Sequence, residues 1–171
     1  MSKLNIIFSH GKESGPNGSK ITRMMKHAQS ICDCNVHSID YQDLKSPDDR
    51  VTRLIEYLTT LKGDIILVGS SMGGYVSTVA SSKKSVQGLM LLAPAFYLEG
   101  YDVSDIKSSC KNITIIHGWN DDIVPYKNSV KFAHQHKAKL VLVDDGHRLS
   151  ESSDELNHKI ENIINKRKAH G

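Results

Sequence analysis

Asp64-Ile65-Ile66-Leu67-Val68-Gly69-Ser70-Ser71-Met72-Gly73-Gly74 runs from an apolar, β-branched segment, through a serine flanked by glycines, into a helix-forming stretch. The pattern Gly69-x-Ser71-x-Gly73 between a strand and a helix describes a tight turn that forces its central residue to positive φ, a strain of roughly 1–3 kcal/mol. Gly69 and Gly73 remove the Cβ atoms that would strike neighbouring backbone in such a turn. Ser71 is thereby lifted to the strand tip with its hydroxyl exposed, while Ser70 points the other way. Gly74 lets the following helix approach the sheet. Glycine and serine also build ordinary turns at strand ends, so the reading depends on what lies around the motif.

Outward from this point, short apolar runs alternate with longer amphipathic ones. Strands are expected at Leu4–Ser9, Asn35–Asp40, Ile65–Ser70, Val86–Leu92, Asn112–His117 and Leu140–Val143. Helices are expected at Ser19–Ile31, Pro47–Leu61, Met72–Ser82, Tyr126–His136 and Glu151–Lys168. Pro47-Asp48-Asp49 suits a helix start, because proline and acids are favoured in the first turn. Leu156, Ile160, Ile163 and Ile164 recur at helical spacing as a buried stripe. Near-continuous apolar strands separated by helices indicate a mostly parallel six-stranded sheet covered on both faces, a three-layer α/β sandwich. No repeat or linker divides residues 1–171, so one domain is expected. The longest connection without regular structure is Ala93–Lys111, which carries Phe96, Tyr97 and Tyr101; it reads equally as core cover or as a lid or acyl pocket.

Bulk properties narrow the function classes. A chain of 171 residues, 39% hydrophobic and 24% charged, suits a soluble domain with its own core. Its apolar runs are far shorter than the ~18–20 residues a membrane span needs. The Leu4 strand begins too early to leave room for a signal peptide, and the three cysteines, Cys32, Cys34 and Cys110, read as reduced thiols; a cytoplasmic protein is expected. Cys32-Asp33-Cys34 lacks a second ligand pair, so no metal site is expected. The net charge is +3, with its one basic run, Lys166-Arg167-Lys168, at a helix end where cations suit the dipole. Aromatic residues are not interleaved with basic ones, and no nucleic-acid partner is expected.

Open α/β sheets bind ligands at the carboxyl ends of their strands. The first strand leads to His10-Gly11-Lys12-Glu13-Ser14-Gly15-Pro16 and the third to Ser71. The fifth leads to His117-Gly118-Trp119-Asn120-Asp121-Asp122-Ile123-Val124-Pro125, and the sixth to Asp144-Asp145-Gly146-His147. A serine, an acid and a histidine therefore share one edge, in that chain order. Asp121, Asp122 and Asp145 compete for the acid, and His147, His10 and His117 for the base. His10 and His117 read as hydrogen-bonding loop anchors, and His27, His37, His134, His136, His158 and His170 as structural.

This order and these segments resemble the α/β-hydrolase superfamily over essentially the whole chain, in the form of its small, capless bacterial serine esterases. His117-Gly-x-x-Asp121-x-x-Val-Pro125 is similar to that family's acid loop, Gly146-His147 to its histidine loop and His10-Gly11 to its oxyanion loop. The family's two leading antiparallel strands and its cap domain have no counterpart. The resemblance implies a catalytic triad of Ser71, His147 and Asp121, an oxyanion hole from the backbone N–H groups of Met72 and Lys12, and substrate contacts from Gly11, Phe96 and Tyr97. Such a site would cleave a carboxylic ester or thioester of a small to medium acyl group through an acyl-enzyme, with no metal or cofactor. The alternative is a non-catalytic binding or scaffold protein on the same fold. A nucleotide site is disfavoured, because Gly69–Gly74 fits neither phosphate-binding glycine pattern. Oligomeric state has no sequence signal here.

Overall fold

A computed structural model describes residues 2–170 and the side chains of residues 2–167. Lys168 of the basic run and His170 therefore lie outside the side chains described. The order is β1 (Leu4–Ser9), α1 (Ser19–Ile31), β2 (Cys34–Ile39), α2 (Pro47–Thr59), β3 (Ile65–Ser70), α3 (Met72–Lys83), β4 (Gly88–Leu92), β5 (Ile113–Gly118), α4 (Tyr126–His136), β6 (Lys139–Val143) and α5 (Ser153–His170). All six strands and five helices fall where the apolar pattern places them, with shifts at the ends. Strand β4 starts at Gly88 rather than Val86, because Gln87 closes the sheet there: its N–H donates to Ile65 O and its Oε1 accepts from Ile65 N. Helix α2 stops at Thr59 rather than Leu61, since the Leu61 N–H reaches back only three residues, to Leu58 O. At its other end the Ser46 hydroxyl accepts from Asp49 N and Pro47 takes the first position.

The strands form one sheet in the order β2-β1-β3-β4-β5-β6. Every pairing is parallel, so the sheet is wholly rather than mostly parallel. Period-2 alternation sends successive strand residues to opposite faces. Ile7, Leu67, Leu89, Leu91 and Ile115 pack with Leu54 and Leu58 of α2, Tyr75 and Val76 of α3, and Phe132 of α4. Their neighbours Ile6, Phe8, Ile66, Val68, Met90 and Ile116 pack with Met24 and Ala28 of α1 and Leu156, Ile160 and Ile163 of α5. Two apolar cores thus sandwich the sheet, at about 25 cal/mol per Å² of apolar surface removed from water. The chain leaves β1 for β2 on one side and returns to β3 on the other. The strand order therefore reverses between β1 and β3, which opens a crevice at their carboxyl ends. Gly11 follows β1 and Ser71 follows β3, so both sit on that crevice. The architecture is a minimal α/β-hydrolase fold without a lid.

Candidate active site

Ser71 has φ 53° and ψ −116°, outside the conformations that L-residues favour. Close packing imposes this. A Cβ on Gly69 would lie 2.2 Å from Gly73 O, and one on Gly73 would lie 2.0 Å from Ser9 O. Gly74 is needed for a different neighbour than expected: its Cβ would meet Pro94, in the loop after β4, at 2.8 Å. The Ser71 main chain is pinned on the same side. Its N–H donates to Leu92 O, and its carbonyl accepts from Gly74 N and Ala95 N, each at 2.9 Å.

The serine hydroxyl meets a histidine 76 residues further along, with His147 Nε2 3.0 Å from Ser71 Oγ. His147 Nδ1 lies 2.7 Å from Asp121 Oδ2. The loops that carry these two residues are tied together: Trp119 N donates to Val143 O, Asn120 N to Asp145 O, and Asn120 Nδ2 to Asp144 Oδ1. The Asp121 side chain is fully buried, whereas the His147 ring is 19% exposed. Asp121 Oδ1 accepts the N–H groups of Ile123 and Val124 at 2.9 and 2.8 Å. Burial pushes the Asp121 carboxyl up, but the hydrogen bonds from His147, Val124 and Ile123 outweigh it, and the group stays below the ordinary carboxylate range. It remains an anion facing the imidazole.

The rival acids serve otherwise. Asp122 is exposed. Asp145 accepts from Gly146 N, Glu151 N and Ser152 Oγ, closing the turn that precedes α5. His117 is a loop anchor, as read, and something more. Its Nε2 donates to Val124 O at 2.9 Å, and its Nδ1 lies 2.7 Å from Ser129 Oγ. The same Nε2 is 3.0 Å from Asp121 Oδ2, so the carboxylate is flanked by two imidazoles. Burial lowers the His117 pKa below the usual value despite these acceptors, and the ring is neutral. The spacing His117-x-x-x-Asp121 was the available signal for this contact, since it spans one turn of chain at a strand end.

Two backbone segments flank the serine. As the first residue of α3, Met72 has no intrahelical acceptor for its N–H. The Gly11 Cα stands against Ser71, close enough that a Cβ there would lie 3.6 Å from Ser71 Cβ. The Lys12 and Glu13 side chains are exposed. Of the two aromatics read as substrate contacts, Phe96 is not placed to meet a ligand, while Tyr97 is half-buried. Phe96 is completely buried, its ring 4.5 Å from that of Phe132, and it has no surface to offer a ligand. Tyr97 lies along α4, with the Lys131 ammonium 4.1 Å from its ring centre and its hydroxyl directed to Gln135. With Ile106 and Cys110 buried as well, the 93–112 connection covers the core. Among the described residues no group of three or more His, Cys, Asp or Glu side chains is disposed to hold a metal ion. No described helix is long and apolar enough to cross a membrane.

The model of an uncharacterised protein family, UPF0227, matches residues 5–102. The chain belongs to that family. The match takes in β1 to β4 and the Ser71 turn, while Asp121 and His147 lie beyond it. No curated protein matches the chain. Among solved structures, a protein of the alpha/beta hydrolase superfamily from Xanthomonas campestris pv. campestris is 28% identical, with a TM-score of 0.86 over 95% of this chain and 98% of its own. Est1E from Butyrivibrio proteoclasticus is 19% identical, with a TM-score of 0.79 over 98% of this chain and 89% of its own. An α/β serine hydrolase without lid, also from Xanthomonas campestris, is 18% identical, with a TM-score of 0.72 over 97% of this chain and 83% of its own. Est1E has also been solved with ferulic acid bound. The chain is a lidless member of the α/β-hydrolase superfamily.

Proposed function

We propose that the chain, acting as a single domain, is a serine hydrolase that cleaves carboxylic esters or thioesters of small to medium acyl groups. One observation carries this reading: the hydrogen-bonded line from Ser71 Oγ through His147 to the buried Asp121 carboxylate, at 3.0 and 2.7 Å, on a serine held at positive φ. A serine hydroxyl is a weak nucleophile until a base takes its proton. In the reaction Ser71 Oγ attacks the acyl carbon while His147 Nε2 accepts the hydroxyl proton. Asp121 holds the imidazole with its proton on Nδ1 and stabilises the imidazolium. The N–H groups of Met72 and Lys12 face the developing oxyanion, where each such donor contributes about 2.7–4 kcal/mol to the transition state. His147 then protonates the departing alcohol or thiol. A water, deprotonated by the same nitrogen, releases the acid and restores Ser71. No metal or cofactor enters these steps.

The lidless fold supports an open acyl site, and the ferulic acid bound by Est1E, a distant neighbour, is a carboxylic acid of the size intended. Reduced, free cysteines favour the cytoplasm. The test is labelling with a fluorophosphonate, mapped by mass spectrometry, beside turnover of p-nitrophenyl butyrate. An adduct on Ser71 that is lost in His147→Ala supports the enzyme. A folded protein that neither labels nor turns over the ester refutes it and favours the binding-protein alternative.

A further inference from the structure

Arg50 is 2% exposed: it stands on the buried stripe of α2 with Pro47, Val51, Leu54 and Leu58, where a cation is out of place. Among the described residues it takes part in no ion pair, and Asp43 is taken by Arg53. Its guanidinium donates instead to two carbonyls, through Nε to Leu44 O at 2.8 Å and through an Nη to Gly11 O at 3.1 Å, and it lies 5.6 Å from the centre of the Tyr41 ring. An arginine without a carboxylate is costly to bury, because its charge is desolvated with no full counter-charge in contact. The second of its carbonyls has another donor. His10 Nδ1 lies 2.7 Å from Gly11 O. The tautomer follows from the far side of the ring, where Tyr41 N donates to His10 Nε2 at 2.9 Å, so the proton sits on Nδ1. His10 is 1% exposed.

Gly11 C=O belongs to the same peptide unit as Lys12 N–H. Among the described residues no peptide bond is cis, and in a planar trans unit the two groups point in opposite directions. Two buried donors that draw the carbonyl inward therefore aim the N–H outward, at the crevice where Ser71 stands against Gly11. A charge-assisted bond to the oxygen also polarises the whole amide and makes its N–H a stronger donor.

We infer that Arg50, with His10, is a positioning residue that aims and polarises the Lys12 N–H as an oxyanion donor. This rests on the hydrolase reading above. It adds a second function for the burial of Arg50, since a purely structural filler would be served as well by an apolar side chain of similar length.

The test compares wild type, Arg50→Met and Arg50→Lys as full chains. Three quantities are read: kcat and KM with p-nitrophenyl butyrate, inhibition by a trifluoromethyl ketone whose hemiketal oxyanion occupies the same place, and the Lys12 amide in a ¹H–¹⁵N spectrum. In Arg50→Met, kcat is expected to fall about ten- to a hundredfold, a part of the 10²–10³ that loss of a whole donor costs. KM is expected to stay within about twofold, ketone inhibition to weaken in parallel with kcat, and the Lys12 amide to shift while β5 and β6 amides hold still. Arg50→Lys keeps the charge but cannot span both carbonyls, and should recover part of kcat. Unchanged kcat with an unmoved Lys12 amide overturns the inference, as does a loss of kcat that comes with shifted amides throughout the fold. If Arg50→Met does not fold, Arg50→Lys decides: lowered kcat at wild-type thermal stability supports the inference, and wild-type kcat overturns it. A wild type that neither turns over nor labels removes the hydrolase reading itself, whereas an active wild type matched by its Arg50 variants removes only the role of Arg50.

Discussion

Asp121→Asn is the substitution whose outcome follows most closely from the geometry. The carboxylate has four neighbours: the N–H groups of Ile123 and Val124 on Oδ1, and His147 Nδ1 and His117 Nε2 on Oδ2. An asparagine can keep its oxygen toward the two amides. Its NH₂ then occupies the Oδ2 position and faces His147. The imidazole can satisfy that donor only by moving its own proton to Nε2, where it points at Ser71 and can no longer accept. A comparable change of tautomer in a serine hydrolase lowers kcat by about 10⁴. At 1.36 kcal/mol per tenfold this is about 5.4 kcal/mol of transition-state stabilisation. The NH₂ also confronts the Nε2–H of His117, a clash of donors costing about 1–3 kcal/mol of stability. The assay is kcat for p-nitrophenyl butyrate across pH 6–9, beside thermal melting. Exposed Asp122, changed to Asn, is the control and should leave kcat within about twofold. A folded Asp121→Asn enzyme that keeps more than a tenth of wild-type kcat would refute the tautomer reasoning, as would an equal loss in Asp122→Asn.

Four other outcomes are expected. Ser71→Gly should abolish turnover yet raise stability by about 1 kcal/mol in urea titration, because glycine tolerates positive φ without strain. Gly73→Ala should cost at least about 3 kcal/mol or prevent folding, since its Cβ would fall 2.0 Å from the Ser9 carbonyl; a soluble, wild-type melt would contradict the packing of the turn. Phe96→Leu should lower stability by about 1–3 kcal/mol and leave KM unchanged, as befits a core side chain; a KM shift at constant stability would return Phe96 to the substrate site. Acid should weaken the fold in two stages. His10 and His117 have folded pKa values lowered by burial, so as pH falls below about 6.5 the unfolded chain binds protons first, and stability that is complete above that pH erodes. Asp121 and Asp145 are likewise depressed, and their contribution, present above about pH 4, is lost as pH falls through the folded values. Urea midpoints between pH 7.5 and 5 should fall in wild type and fall less in His117→Gln.

Much of this was legible because the decisive signals are local. Hydrophobic period and turn chemistry mark each strand and helix, and Gly69-x-Ser71-x-Gly73 between a strand and a helix specifies a backbone conformation, not only a composition. Strand ends gather functional groups at one edge of a parallel sheet, and Ser71, Asp121 and His147 each follow one. What separates Asp121 from Asp145 is the direction of a side chain within a turn, and no spacing rule encodes that. Phe96 shows another limit: an aromatic in a long loop reads the same whether it lines a cleft or plugs a core, and only its contact with Phe132 distinguishes them. Arg50 was invisible for a related reason. Its position falls on the apolar stripe of Pro47, Val51, Leu54 and Leu58, but a cation there reads as a side chain that reaches back to water, and its burial depends on the loop after β1 supplying a carbonyl.

Strand β6 is an outer edge of the sheet, bonded to β5 alone, and its side chains are exposed or half-buried. Its exit carries His147, and the hydrogen bonds that steady the Asp121 loop end on Val143 and Asp145. Edge elements open at free energies well below that of global unfolding. An opening of β6 on warming would carry His147 and the ties to the Asp121 loop away with it, while the inner strands and both cores persist. If the hydrolase reading holds, loss of ester turnover on warming is then expected to run ahead of the melt followed by circular dichroism and to reverse on cooling.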